Sequence, residues 1–188
     1  MLKENKVSGI TYYSLYKSPV GQLTIACDGE NITGLWIEGQ KYFANTLSRE
    51  KVLAKDIVVL NQAADWLDRY FAGEKPLSSE LSLTPKGSEF RQTVWKLLCE
   101  IPYGEVVTYG NLANKIAIMK GVKTMSAQAV GGAVGHNPIS IIIPCHRVVG
   151  TNGSLTGYAG GIECKQKLLM HEGLDMSKFY VPGKVSSL

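Results

Sequence analysis

The feature that most constrains the fold is a change of period near the middle of the chain. From Ile10 to Gln40 the residues read as strands. Thr11–Lys17, Gln22–Asp28 and Ile32–Glu38 are rich in Tyr, Ile, Thr and Trp, and Ser18-Pro19-Val20-Gly21 and Asp28-Gly29-Glu30-Asn31 supply the turns between them. Three such strands predict an antiparallel meander. Ile57–Ala72 then turns helical: Leu60, Ala63 or Ala64, Leu67 and Tyr70 or Phe71 return to one face, and Gly73 ends the run. The polar, Pro-containing stretch Glu74–Lys86 reads as a linker.

Beyond it the pattern is mainly helical. Ser88 is placed to cap a helix running to about Cys99, with Phe90, Val94, Leu97, Leu98 and Ile101 toward a core, and Pro102-Tyr103-Gly104 stops it. Thr108 can cap a second helix from Tyr109 to about Ile116, and Ser126 a third from Ala127 to about Val134. Two short helices joined by a turn predict a helix-turn-helix. An extended apolar segment ending Pro144-Cys145-His146-Arg147 follows, then a Gly-rich loop from Gly150 to Gly161 and a last helix near Ile162–Glu172. The expected class is α+β: a strand-and-helix unit with its linker over 1–86, a mainly helical unit over 87–175, and a tail over 176–188. A chain of 188 residues suits one medium domain or two small ones sharing an interface.

Composition excludes several classes. Hydrophobic residues at 45% and charged residues at 19% are ordinary for a globular protein and argue against disorder. Met1–Gly9 is polar and lacks the apolar core of a signal peptide. No apolar run approaches the roughly 18 residues of a membrane span, so a cytoplasmic protein without a membrane partner is expected. The net charge of +4 is compatible with a polyanionic partner and too mild to require one. Cys27, Cys99, Cys145 and Cys164 form no CxxC pair, and His136, His146 and His171 add no ligand spacing. That pattern suits neither a disulfide framework nor a zinc finger; neither a metal nor a cofactor is expected.

Cys27, Cys99 and Cys164 are expected to be small buried hydrophobes. Cys145 departs from that expectation. It ends an apolar run, it is flanked by His146 and Arg147, which can favour a thiolate, and a Gly-rich loop able to approach a ligand follows it. Adjacent side chains of an extended segment point to opposite faces, so a Cys145–His146 pair needs a water bridge or a turn beginning at Cys145. His146 in turn needs an orienting carboxylate, and spacing alone leaves Glu172, Glu163 and Asp175 open. His136 reads as a surface histidine and His171 as a helix-end charge. Lys165 and Lys167 read as a solvated helix face.

Pro144-Cys145-His146-Arg147-Val148 lies between Asn137-Pro138 and Gly157-Tyr158-Ala159-Gly160-Gly161, with Ala129-Val130-Gly131-Gly132-Ala133 upstream. Over about Phe90 to Gly173 this closely resembles the O6-alkylguanine-DNA alkyltransferases. The resemblance implies a ribonuclease-H-like N-terminal unit and a C-terminal unit with a winged-helix-like helix-turn-helix that holds the whole site. It implies repair by stoichiometric transfer of an alkyl group from O6-alkylguanine, and from O4-alkylthymine, to Cys145. The partner is then double-stranded DNA bound through its minor groove by a monomer, with the target nucleotide flipped out.

By position, the resemblance makes His146 the base acting through water, Glu172 its orienter and Asn137 a brace for the turn before the active-site segment. Tyr109 would lie against the flipped base and hydrogen-bond its N3. The carbonyls of Cys145 and Val148 would accept from the exocyclic amine, and Tyr158 and the Ala159 N–H would help bind the base. Ser140, Thr156 and Gly157 would border the pocket. Ser126, Ala127, Ala129 and Gly131 would meet DNA; such small residues suit a narrow-groove approach better than base reading in the major groove. Gln128 stands where many relatives carry an arginine wedge. Gln can still hydrogen-bond an orphaned base, and flipping is expected to depend less on salt than with Arg. The zinc-binding feature of some relatives finds no matching Cys/His set. Transfer to sulfur leaves a thioether that no second thiol displaces, so one event per molecule is expected. The main alternative is a damage sensor without transfer, against which the presence of Cys145 speaks; a sequence-specific regulator and a Cys–His hydrolase rank lower. The N-terminal half is expected to support the C-terminal half rather than to touch DNA.

Overall fold

The computed structural model describes residues 10–48, 50–54 and 56–183; the polar start Met1–Gly9 and the end of the expected tail, 184–188, lie outside the described residues. The strands are β1 (Thr11–Ser18), β2 (Gly21–Cys27) and β3 (Ile32–Ile37), an antiparallel meander, with β4 (Lys51–Leu53) added parallel to β1. Both expected turns form: Ser18 Oγ donates to the Gly21 carbonyl at 2.6 Å, and Asp28 Oδ1 accepts from the N–H groups of Glu30 and Asn31. Helix α1 (Val58–Phe71) buries Val59, Leu60, Ala63, Trp66, Leu67 and Tyr70 at helical spacing. Every residue of β3 is buried, and a Cβ at Gly34 would overlap the Trp36 indole.

A buried sheet edge needs hydrogen-bond partners, and β3 takes them from two later segments. The Ile32 N–H donates to Ser82 O and its carbonyl accepts from Thr84 N–H, both at 2.8 Å. Leu35 bonds in the same way to Pro138 O and Ser140 N–H, also at 2.8 Å. The stretch read as a linker is therefore stitched to the sheet, and Trp66 Nε1 fastens it further at Leu77 O. The second pair of bonds is what ties the N-terminal sheet to the segment leading to Cys145.

The C-terminal half holds α2 (Glu89–Leu98), α3 (Tyr109–Lys120), α4 (Ala127–Gly135) and α5 (Ile162–His171). The three expected caps are present: Ser88 accepts from Arg91 N–H, Thr108 from Asn111 N–H and Ser126 from Ala129 N–H. Helix α3 continues one turn beyond the expected end, until Gly121 turns left-handed at φ +64°. Strand β5 (Val107–Thr108) pairs in parallel with β6 (Val148–Val149), which sets the start of α3 beside the chain just after Cys145. One core cluster joins both halves, from Leu23 to Leu168.

Two parts differ from the sequence reading. The apolar run before Cys145 is a compact turn, not an extended segment: Ile143 N–H donates to Ile139 O, and Ile141 has φ +69°. The run is buried all round, so its alternation carries no information about strand geometry. The stretch read as a tail is packed as far as it is described. Met176–Lys178 forms a single 3-10 turn, Tyr180 pairs with Gly153 and Leu155, and Met176, Phe179 and Val181 cover a small cluster of Val149, Leu155 and Leu169. Among the described residues no helix is long and apolar enough to cross a membrane.

Candidate active site

The site is assembled from the end of α4 onward. Asn137 directs its amide Nδ2 to Ile143 O at 2.8 Å, Ile139 O at 3.2 Å and Cys145 Sγ at 3.1 Å, while its Oδ1 accepts from Ile139 N–H at 3.0 Å. One side chain thus shapes the turn and touches the sulfur. Cys145 opens a 3-10 turn over Cys145–Arg147, the second of the two ways in which Cys145 and His146 could act together. Cys145 is 5% exposed. Burial pushes its thiol pKa up, opposed by the Asn137 hydrogen bond, the Lys165 charge and the N–H groups of Cys145 and His146.

His146 is fully buried. Its Nε2 lies 2.6 Å from Glu172 Oε1, and its Nδ1 is buried without a hydrogen-bond partner among the described residues. Burial lowers the ring's pKa, against the pull of Glu172. A neutral ring with its proton on Nε2, toward the carboxylate, leaves the Nδ1 lone pair as the basic atom. Glu172, at the C-terminal end of α5, is the most heavily bonded group in the site. It accepts from Tyr70 Oη at 2.8 Å, from Gly104 N–H at 3.2 Å and from Arg147 Nε and Nη2 at 2.9 and 3.0 Å. Burial alone would raise its pKa; the bonds and charges of His146 and Arg147 outweigh burial and hold it at about 2. Glu163 and Asp175, the other carboxylates that spacing allowed, are exposed.

Several sequence expectations are corrected. Arg147 does not face Cys145: its guanidinium binds Glu172 and donates to Ile101 O at 2.7 Å. A buried guanidinium requires such partners. Lys165 is not solvated but fully buried, its Nζ donating to Val148 O at 2.5 Å and Thr156 O at 3.1 Å. Burial lowers its pKa to about 8, with the Cys145 charge opposing. Lys167 is exposed as expected. His171 does end α5 as expected, and it also packs against Tyr70, Phe71 and Tyr103 with its Nε2 2.8 Å from Tyr70 O. His136 is half-buried and stacked on Tyr42. Cys99 caps α2 and is exposed, whereas Cys27 and Cys164 are buried.

The remaining candidates surround this centre. Tyr109 donates from Oη to Thr156 O at 3.2 Å, and burial together with the Cys145 charge pushes its pKa up to about 12, so the phenol keeps its proton at neutral pH. Tyr158 is buried, the Ala159 carbonyl accepts from Lys41 N–H at 2.9 Å, and Ser140 Oγ donates to Gln40 Oε1 at 3.1 Å. Ser126, Ala127, Gln128 and Ala129 are exposed and Gly131 half-buried, while Val130, Ala133 and Val134 face the core. Trp95 anchors that inner face through Nε1 to Ala133 O. Among the described residues no three of His, Cys, Asp and Glu are grouped to hold a metal.

Two family models match the chain: 6-O-methylguanine DNA methyltransferase, ribonuclease-like domain, over residues 11–85, and the DNA binding domain of the same family over 89–174. A methylated-DNA–protein-cysteine methyltransferase of Haemophilus influenzae is 45% identical over 161 residues, 86% of each chain. The chain belongs to this methyltransferase family. A Methanosarcina acetivorans member is 42% identical across 86% of this chain and 98% of its own. Among solved structures, a Mycobacterium tuberculosis O6-methylguanine methyltransferase is similar at a TM-score of 0.72 and 42% identity, over 86% of this chain and 92% of that one. Mycobacterium tuberculosis OGT in complex with DNA is similar at a TM-score of 0.74 and 40% identity, over 89% and 94%. The two-unit α+β architecture is that of the methyltransferase family, with the sheet as its ribonuclease-like unit and α2–α5 in its DNA-binding unit.

Proposed function

We propose that this protein repairs alkylated DNA by moving the alkyl group of O6-alkylguanine, and of O4-alkylthymine, onto Cys145, once per molecule. The observation that carries the reading is the buried Cys145 sulfur held at 3.1 Å by Asn137, beside a His146–Glu172 pair closed at 2.6 Å. The thiol proton passes through a water to His146 Nδ1, while Nε2–H stays on Glu172. The sulfur attacks the alkyl carbon in line, the carbon–oxygen pair returns to the base, and Tyr109 turns its hydroxyl from Thr156 to N3 as charge develops there. The base lies between Tyr109 and the Gly157–Ala159 loop. Its amine donates to the carbonyls of Cys145 and Val148, the latter keeping a lone pair beside Lys165.

The nucleotide reaches this depth only by leaving the duplex. Ser126, Ala127, Ala129 and Gly131 on the open side of α4 meet the minor groove, and Gln128 fills the gap left in the stack. Residues 87–175 carry DNA binding and chemistry, residues 1–86 hold them in place, and the monomer works without metal or cofactor. Four free thiols, one of them exposed, suit the cytoplasm.

Intact-protein mass spectrometry after mixing with an O6-methylguanine duplex tests this. The expected result is one methylene mass gained per chain, mapped to Cys145 and lost in Cys145→Ser. Tight lesion binding with no mass gain would instead make the protein a damage sensor.

A further inference from the structure

The proposed base site opens into a cavity of about 230 Å³, lined by Gly131, Gly157, Tyr158 and Ala159 of that site and partly by the N-terminal unit. Lys41 and Tyr42 of the N-terminal unit and Gly132, Gly135 and His136 of the α4 end complete its lining. The loop is fixed there by the Lys41 N–H bond to Ala159 O. Tyr42 is left-handed at φ +62°, a conformation that costs a non-glycine residue and recurs where geometry serves a ligand. Its ring stacks on His136 at 4.2 Å and 21°, and Lys41 Nζ stands 4.9 Å from the Tyr42 centroid. His136 Nδ1 lies 2.7 Å from Gly132 O. A Cβ on Gly132 or Gly135 would meet nothing within 4 Å, so this side of α4 offers bare backbone to the space.

Charge identifies what fits. Helix α4 carries no charged side chain along Ala127–Gly135, yet an extruded nucleotide brings its phosphodiesters to the mouth of the base pocket. Lys41 supplies the cation, and the Tyr42–His136 pair supplies an aromatic wall of the kind that lines single-strand channels. We infer that this cavity seats the sugar–phosphate of the flipped nucleotide, with Lys41 on its phosphodiester, so that the N-terminal unit touches DNA. The inference rests on the alkyl-transfer reading and revises the expectation that this half acts only as a support.

The test is single-turnover transfer from an O6-methylguanine duplex across DNA and salt concentrations. It is paired with binding of the same duplex by protein carrying Cys145→Ser. Lys41→Ala removes an exposed side chain and keeps the backbone bond to Ala159. The half-saturating DNA concentration is expected to rise about fivefold and the log–log salt slope to fall by about 0.9, with the limiting rate unchanged. Lys41→Arg should restore both, and Tyr42→Ala should weaken binding with a smaller change of slope. Unchanged half-saturation and slope in Lys41→Ala, or a fall in limiting rate alone, would overturn the inference. Absence of transfer by the unaltered protein would defeat the alkyl-transfer reading, while the binding arm would still report on Lys41.

Discussion

Between β2, β3 and α1 the interior is hydrocarbon: Leu23, Ile25, Leu35, Leu60 and Leu67 are buried, and the few buried polar groups there are Thr11, Thr24, Thr33 and Gln40. At the same depth around Cys145 the interior holds His146, Arg147, Lys165 and Glu172. Among the described residues every buried charged side chain belongs to the C-terminal half. Buried ion pairs add little net stability, because desolvation offsets their attraction. The sheet unit therefore holds the molecule together in the ordinary way, while the helical unit accepts a set of charges whose rationale is chemical. The hydrogen bonds that connect the two include the backbone pair on Leu35, Lys41 N–H to Ala159 O, Ser140 Oγ to Gln40 Oε1, and the Tyr70 hydroxyl on Glu172.

The most severe way to break this comparison is Glu172→Gln. It leaves Arg147 buried without its counter-charge, a loss of about 3 kcal/mol of stability, and it takes the orienting anion from His146, so transfer should fall about a hundredfold or more. Denaturant unfolding and single-turnover rates read the two effects. The sign of the pH dependence follows from the lowered carboxyl pKa. Its stabilisation is complete above the ordinary value of 4.5 and is lost as pH falls toward about 2. The unaltered protein should lose stability more steeply than the variant in that window; parallel curves would mean that Glu172 is not the stabilising anion.

Lys165→Met should act less strongly and chiefly on the chemistry, although Val148 O loses its bond from Nζ. The side chain keeps similar length, and Thr156 O retains its bond from Tyr109. What disappears is the positive charge that favours the Cys145 thiolate. A shift of about one pKa unit, and transfer about tenfold slower near neutral pH, is the expected size. The pH profile of Cys145 alkylation by iodoacetamide should move upward; an unmoved profile would make Lys165 a packing residue. Folding linkage has the same sign as that of Glu172 but falls in a far more alkaline window. Because the folded pKa is depressed to about 8 from 10.5, stability from this group rises as pH climbs through that interval, and the variant should lack the rise.

How much of this was readable in the sequence depends on whether the signal was periodic or three-dimensional. The meander, α1 and the Ser88, Thr108 and Ser126 caps were legible because turn residues, helical spacing and capping side chains act over a few positions. Cys145 and His146 are legible as neighbours in a distinctive segment, whereas the role of Asn137 comes only from the family resemblance. By residue type Lys165 reads as solvated, yet its spacing carries the clue: Lys165, Leu168, Leu169 and Glu172 recur as one inward face at i, i+3, i+4 and i+7. The Tyr70–Glu172 bond, 102 residues apart, and the pairing of Leu35 with Pro138 and Ser140 leave no local trace. Nor does the apolar turn before Cys145, since a segment buried on every side shows no alternation to betray its shape.

Tyr70→Phe is the mildest change and the one that sharpens the comparison most. Tyr70 is a buried residue of α1, and among the described residues its hydroxyl is the one side-chain group of the sheet unit that hydrogen-bonds Glu172. Phenylalanine keeps the ring among Trp66, Phe71, Tyr103 and His171 and removes only that bond. Glu172 retains His146, Arg147 and Gly104, so a loss of about 1 kcal/mol is expected rather than the larger penalty of an orphaned charge. If the sheet unit only steadies the network, the unfolding midpoint should fall while the limiting transfer rate stays within about twofold. A tenfold loss of rate at unchanged Glu172–Arg147 geometry would show that the hydroxyl sets the basicity of His146 through the shared carboxylate. The division between a supporting half and a reacting half would then fail at this bond.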